Sequence, residues 1–382
     1  MSAALVASLA GCQFGAAEQE GGSDLLIAAD LELSGAAAQV GQAYQRALEL
    51  KVEQINRSGA LGDRQLRLVV RDNRSDPSQS LRNIGDFSED PAVNAIIMGS
   101  CSECAIGAAK TVNDKRVPTI ALATASKVAS PAAERRYMFK LGPNATDTAA
   151  ALAPELKRAG VKRIGLLYTA DDYGREGLEA LTDELRKIKI KISKTQSIKI
   201  TDTDVSQAIS TLTSANVDAI VVWTTAEQAA LTARVAREAG YDGKLYFDAG
   251  AAGELFFADS GADSDMSINM VFTQTMVIDD VIATNPAKAA RKQWFRDYTA
   301  RFGDYYGFSS FAADAVQLIV NAALRADASG RLDRDTLRSL LETSQMDGLS
   351  GPIRMTPGNH SGLTPQALTM LVARGGRWRL AS

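Results

Sequence analysis

Histidine is nearly missing from this 382-residue chain, which has one, His360, and three cysteines. So few ligands leave no basis for paired-histidine acid–base chemistry or a multi-ligand zinc site. Beyond the first dozen residues no apolar run is long enough to span a bilayer. The 42 Lys and Arg residues stand against 45 Asp and Glu, giving a net charge of −3. Because they are scattered, the basic stripe that a nucleic-acid surface requires is lacking, and no nucleic-acid partner is expected. Nor is there a nucleophile–base pair, a phosphate loop or a metal cluster, so neither an enzyme nor a cofactor is expected.

What is present is a globular composition, 46% hydrophobic and 23% charged. The length exceeds one ordinary core, so two lobes are the natural expectation. A short apolar run over residues 3–10 ends at Gly11-Cys12. Leu9-Ala10-Gly11-Cys12 resembles the lipobox of bacterial lipoproteins, which marks Cys12 for acylation, although no Lys or Arg precedes the run. Residues 13–23 then read as a tether, and residues 1–23 as signal plus tether.

From Asp24 strand and helix patterns alternate. Leu25-Leu26-Ile27-Ala28-Ala29 is a continuous apolar run, as in a strand buried on both faces. The stripe Tyr44, Leu48, Val52, Ile55 predicts a helix over 41–58, stopped by Gly59. Further strands are expected at 66–70, 95–98 and 117–121, with a helix at 77–88 between the first two. The pattern restarts with strands at 163–168, 219–223 and 245–247 and helices at 174–187 and 227–239. This predicts an α/β fold of two doubly wound parallel-sheet lobes, with the site in the loops after the strands' carboxyl ends.

Several segments then resemble, in order and at matching spacing, the leucine/isoleucine/valine-binding family of type I periplasmic solute-binding proteins. They include Leu33-Ser34-Gly35, Asp76-Pro77, Gly99-Ser100-Cys101-Ser102, Val117-Pro118-Thr119-Ile120, Asp172-Tyr173-Gly174 and Asp347-Gly348-Leu349-Ser350-Gly351-Pro352. The resemblance implies discontinuous lobes joined by a three-strand hinge: 24–143 plus 276–349, and 144–275 plus 350–382. Residues 367–372 would be a late strand of the second lobe. It also implies an extracytoplasmic, monomeric importer component that closes on a small solute, delivers it to ABC permease subunits, and meets the membrane only through a lipid anchor.

The resemblance assigns ligand contacts as well. Ser102, where a strand passes into a helix, matches the family's carboxylate-binding serine, and its other role would be an ordinary helix cap. Ala123 matches a backbone contributor. The family's threonine falls on Ala125, so Thr124 or Ser126 would replace it. Tyr173 matches an aromatic at the cleft mouth, and Trp223 and Thr224 follow a strand end where another aromatic is often found. The family's ammonium-binding glutamate falls on Ala249, next to Asp248. With Asp248 facing the cleft an amino acid is implied; with it turned away, a carboxylate, amide or aromatic acid. A ligand sensor of the same fold is the rival function.

Three signals point elsewhere. Cys101 and Cys104 are spaced like a redox pair, yet in an oxidising compartment they could bond to each other, with no catalytic role. His360, in the turn-rich stretch 356–362, is expected on the surface. The alternating Lys and Ile over 187–194 read as a solvent-edged strand.

Overall fold

The computed structural model describes residues 24–252, 256–257, 267–328 and 332–381. Cys12 and the tether lie outside the described residues. The chain builds a parallel sheet and a mostly parallel one that ends in two antiparallel strands, each covered by helices on both faces, plus a two-stranded ribbon.

The first sheet has the order β2-β1-β3-β4-β5, all parallel. Its strands are β1 (Leu25–Leu31), β2 (Leu66–Asp72), β3 (Val93–Met98), β4 (Thr119–Ala121) and β5 (Met138–Lys140). Alternation decides which face each side chain enters. Leu25 and Ile27 join one core with Tyr44 and Leu48 of α1 (Ala38–Ser58), whereas Ala28 and Ile96 join another with Ile84 of α2 (Pro77–Glu89) and Ala105 of α3 (Ser102–Asp114). Burial on both faces is why these strands read as unbroken apolar runs.

The second sheet has the order β14-β13-β10-β9-β8-β6-β7. It comprises β6 (Arg163–Thr169), β7 (Lys191–Ile198), β8 (Ala219–Trp223), β9 (Lys244–Phe247), β10 (Ile268–Thr273), β13 (Leu368–Ala373) and β14 (Trp378–Leu380). Helices α4 (Ala145–Arg158) and α5 (Asp172–Lys187) cover the face of Ile164 and Val221. Ile220 and Val222 face α6 (Ser206–Thr213) and α7 (Ala226–Glu238). The basic–isoleucine alternation enters edge strand β7 only from Lys191; Lys187 ends α5 and residues 188–190 form the turn between them. β13 pairs antiparallel with β10, so the end of the chain completes this sheet.

Between β10 and β13 the chain returns to the first lobe through α8 (Pro286–Phe302), α9 (Ser309–Ala328) and α10 (Arg334–Leu341), with α9 packed on α1. Crossing segments are tied together. Lys140 N–H donates to His360 O at 2.9 Å and Gly362 N–H to Lys140 O at 2.8 Å. Asp314 of α9 accepts the N–H groups of Leu349 and Ser350, each at 2.8 Å, beside the ribbon of β11 (Gln345–Asp347) and β12 (Pro352–Arg354).

His360 is a correction: it is 1% exposed, not on the surface. Its ring stacks on Phe139 at 4.5 Å and its Nε2 lies 3.2 Å from Glu342 Oε1. A turn-rich sequence marks a loop, but this loop is folded into the crossing between the lobes, where an imidazole can satisfy several polar groups at once.

Candidate functional site

The carboxyl ends of the two sheets face each other across a cavity of about 340 Å³. That lies at the small end of the range for small-molecule sites. Residues from turns after β1, β3 and β4 line one side, and residues from turns after β6, β8 and β9 line the other. Val40, Tyr44, Leu122, Phe308 and Phe311 supply an apolar wall.

Ser102 lines the cavity at the first position of α3. The helix cap is Cys101, whose sulfur accepts the Cys104 N–H at 3.1 Å. Ser102 Oγ accepts the Ala125 N–H at 3.2 Å, which leaves its hydroxyl proton to donate. Cys101 and Cys104 form a disulfide with each other, and Cys101 lines the cavity.

Glu32, at the end of β1, occupies part of this helix terminus. Its carboxylate accepts the Ser100 N–H at 3.0 Å, the Cys101 N–H at 3.1 Å and an Asn73 side-chain N–H at 3.3 Å. Burial pushes its pKa up, opposed by those backbone donors. Gly99 gives the carboxylate room, since a Cβ there would sit 2.2 Å from Glu32 Oε2. The two amides nearest the strand are therefore satisfied by the protein itself. A ligand anion is left the Ser102 hydroxyl and the first-turn N–H groups of Ser102 and Glu103, which no α-helix bonds internally.

Among the other residues singled out from the sequence, Thr124, Tyr173 and Thr224 line the cavity, whereas Ala123, Ser126, Trp223 and Asp248 are not part of its lining. Ala123 is fully buried in the core beneath α3. The Ser126 N–H donates across the lobes to Glu176 Oε2 at 2.7 Å. Trp223 lies on the α4/α5 side of its sheet, 6.4 Å from the Tyr173 ring, so it backs the tyrosine. Asp248 is 2% exposed and folds under its own turn, accepting the Gly250 N–H at 3.1 Å. Desolvation holds its pKa well above the ordinary carboxylate range.

Sequence reasoning passed over Glu32, Tyr44, Glu227, Phe308 and Phe311, all of which line the cavity. Glu32 was findable as a polar residue closing an apolar strand, and Glu227 as the second residue of a helix following a strand. The two phenylalanines come from a segment that returns to the first lobe late in the chain, and no local pattern announces that. Among the described residues, Glu32, Cys101 and Cys104 form a group of potential metal ligands, with ligand atoms within 4.8 Å. The two sulfurs are bonded to each other and so are not available as thiolates. No helix among the described residues is long and apolar enough to cross a membrane.

Two open sheets, one parallel and one mostly parallel, with a cavity between the carboxyl ends of their parallel strands, define a two-lobed α/β clamp. The chain belongs to the periplasmic binding protein family, whose profile, described as Periplasmic binding protein, matches residues 27–376. Its fold is similar to that of an extracellular ligand-binding receptor from Rhodopseudomonas palustris HaA2, with a TM-score of 0.84 and 21% identity over 94% of this chain and 99% of that one. A leucine binding protein from Thermotoga maritima MSB8 gives a TM-score of 0.81 and 20% identity over 94% and 98%. A segment of 158 residues, 41% of this chain, is 23% identical to gamma-aminobutyric acid type B receptor subunit 1 of Mus musculus and covers only 16% of that receptor.

Proposed function

We propose that this protein is the solute-binding component of an ABC importer, holding a small carboxylate-bearing solute between its lobes for delivery to membrane permease subunits. The observation that carries this reading is the cavity between the lobes, with Ser102 and Thr124 on one lobe and Tyr173 and Thr224 on the other. A carboxylate at the start of α3 would gain a hydroxyl donor, helix amides and a favourable dipole. The apolar wall suits an aliphatic body, and a branched-chain or other amino acid is the favoured class, supported by the leucine binding protein among the similar folds. Family members are solute-binding proteins, which supports a binding rather than a catalytic role. The Leu9–Cys12 motif supports a lipid anchor on Cys12 and a place in the periplasm or at the cell surface. Likeness to a receptor segment keeps ligand sensing as the second reading.

A thermal-shift screen of amino acids, amides and carboxylic acids, followed by calorimetry, tests the site. Ser102→Ala should weaken binding by about tenfold or more, the cost of one charge-assisted hydrogen bond, with folding unchanged. Unchanged affinity would remove the carboxylate assignment. Dependence of uptake on a partner permease separates transport from sensing.

A further inference from the structure

The turn after β8 and the start of α7 carry three polar side-chain atoms that are buried without a hydrogen-bond partner: Thr224 Oγ1, Thr225 Oγ1 and Glu227 Oε2. All three residues line the cavity. A hydroxyl can donate or accept, but a carboxylate oxygen only accepts, so Glu227 is the group with a fixed demand. Leaving such an oxygen buried and unpaired is costly, and an occupant of the cavity is the natural source of the missing donor. Of the other carboxylates in the lining, Glu103 is exposed to solvent, and two are already served; the Gln39 amide oxygen is unpartnered too but carries no charge to hold a cation. Glu32 takes donors from Ser100, Cys101 and Asn73, and Asp171 takes the Gly174 N–H at 2.9 Å and the Thr169 hydroxyl at 2.8 Å. Asp248, where the resemblance places an ammonium partner, lies outside the lining.

We infer that Glu227 is the residue that receives a cationic amine of the bound solute, so that the ligand is an amino-carboxylate read by Ser102 on one lobe and Glu227 on the other. This rests on the solute-binding reading above and makes it specific. The Gln39 N–H of the opposite lobe also approaches the Glu227 carboxylate, which places this group where the lobes meet. An amine bound there would engage the second lobe while its carboxylate engages the first, and would favour closure through contacts that the open form lacks. The charge pattern disfavours a dianion. Among the described residues, the cavity is lined by Glu32, Asp171 and Glu227, by the exposed Glu103, and by one basic side chain, the exposed Lys199.

Calorimetry with L-leucine, L-valine and 5-aminopentanoate, each paired with the acid lacking its amine, tests the inference in wild type and in Glu227→Gln. At least one amine should bind about tenfold or more tighter than its amine-free acid in wild type. In Glu227→Gln that advantage should shrink to near parity, while the amine-free acid binds as before. That last measurement also shows the variant is folded. An advantage that survives in Glu227→Gln overturns the inference. So does equal binding of acid and amine in wild type, which leaves the carboxylate cleft standing. Binding by none of the probes removes the amino-carboxylate class.

Discussion

The backbone N–H of Ser126 donates to Glu176 Oε2 at 2.7 Å, a bond from the first lobe to α5 of the second. The neighbouring Lys127 Nζ lies 3.4 Å from Asp172 Oδ1 across the same seam. These contacts exist only while the lobes are together, so they hold the cleft closed.

Glu176→Gln should therefore shift the protein towards its open form. Turning this charge-assisted bond into a neutral one at a half-buried site costs about 1 kcal/mol, or roughly fivefold in ligand affinity. Calorimetry reads the affinity and small-angle scattering reads the opening. An unchanged radius and affinity would show that the seam does not contribute to closure.

Lys140 gives the crossing segment a pH dependence. It is fully buried, its Nζ donates to Gly142 O at 2.6 Å, and desolvation pulls its pKa from 10.5 down to about 7, with Glu176 and Asp147 opposing. Between those two values the unfolded chain holds the proton and the folded chain does not. Stability should then rise with pH from about 7 towards 10.5, by up to a few kcal/mol, roughly, and the gain should be absent below 7. Denaturant titrations at several pH values should show this slope in wild type and a flatter one in Lys140→Met. Equal slopes would mean the lysine keeps its proton when folded.

Reduction of the Cys101–Cys104 disulfide should cost little stability. With a sequence separation of 3 it closes a very small loop, for which chain entropy allows about 2 kcal/mol at most. Binding should suffer more than folding, because Cys101 both caps α3 and lines the cavity. Melting curves and calorimetry with and without a dithiol compare the two. A global loss of fold on reduction would contradict this.

Gly177 lets α5 pack on Trp223, since a Cβ there would fall 2.4 Å from the indole. Gly177→Ala should destabilise by about 1–3 kcal/mol through overpacking. It should also weaken ligand binding by displacing Tyr173, which the indole backs at 6.4 Å. Wild-type affinity in this variant would detach Trp223 from the site.

The sequence by itself determined the alternation of strands and helices, because burial on both faces writes a strand such as Leu25–Leu31 as an unbroken apolar run, and burial on one face writes α1 as a stripe. Sheet topology pointed to the turns after the strand ends, and the family resemblance singled out Ser102, Thr124, Tyr173 and Thr224 within them, all of which line the cavity. Orientation within those turns was another matter. Asp248 and Glu227 are both acidic residues just beyond a strand, and one-residue spacing does not say which side chain turns inward. The tertiary structure decided it: Asp248 folds back on the Gly250 N–H while Glu227 stands at the lobe boundary with an unpaired oxygen. His360, too, was read as a surface residue from its loop and is buried, because only the docking of distant segments puts Phe139 and Glu342 beside it. Local sequence fixes period and turn; which groups meet across the chain depends on how the two lobes close.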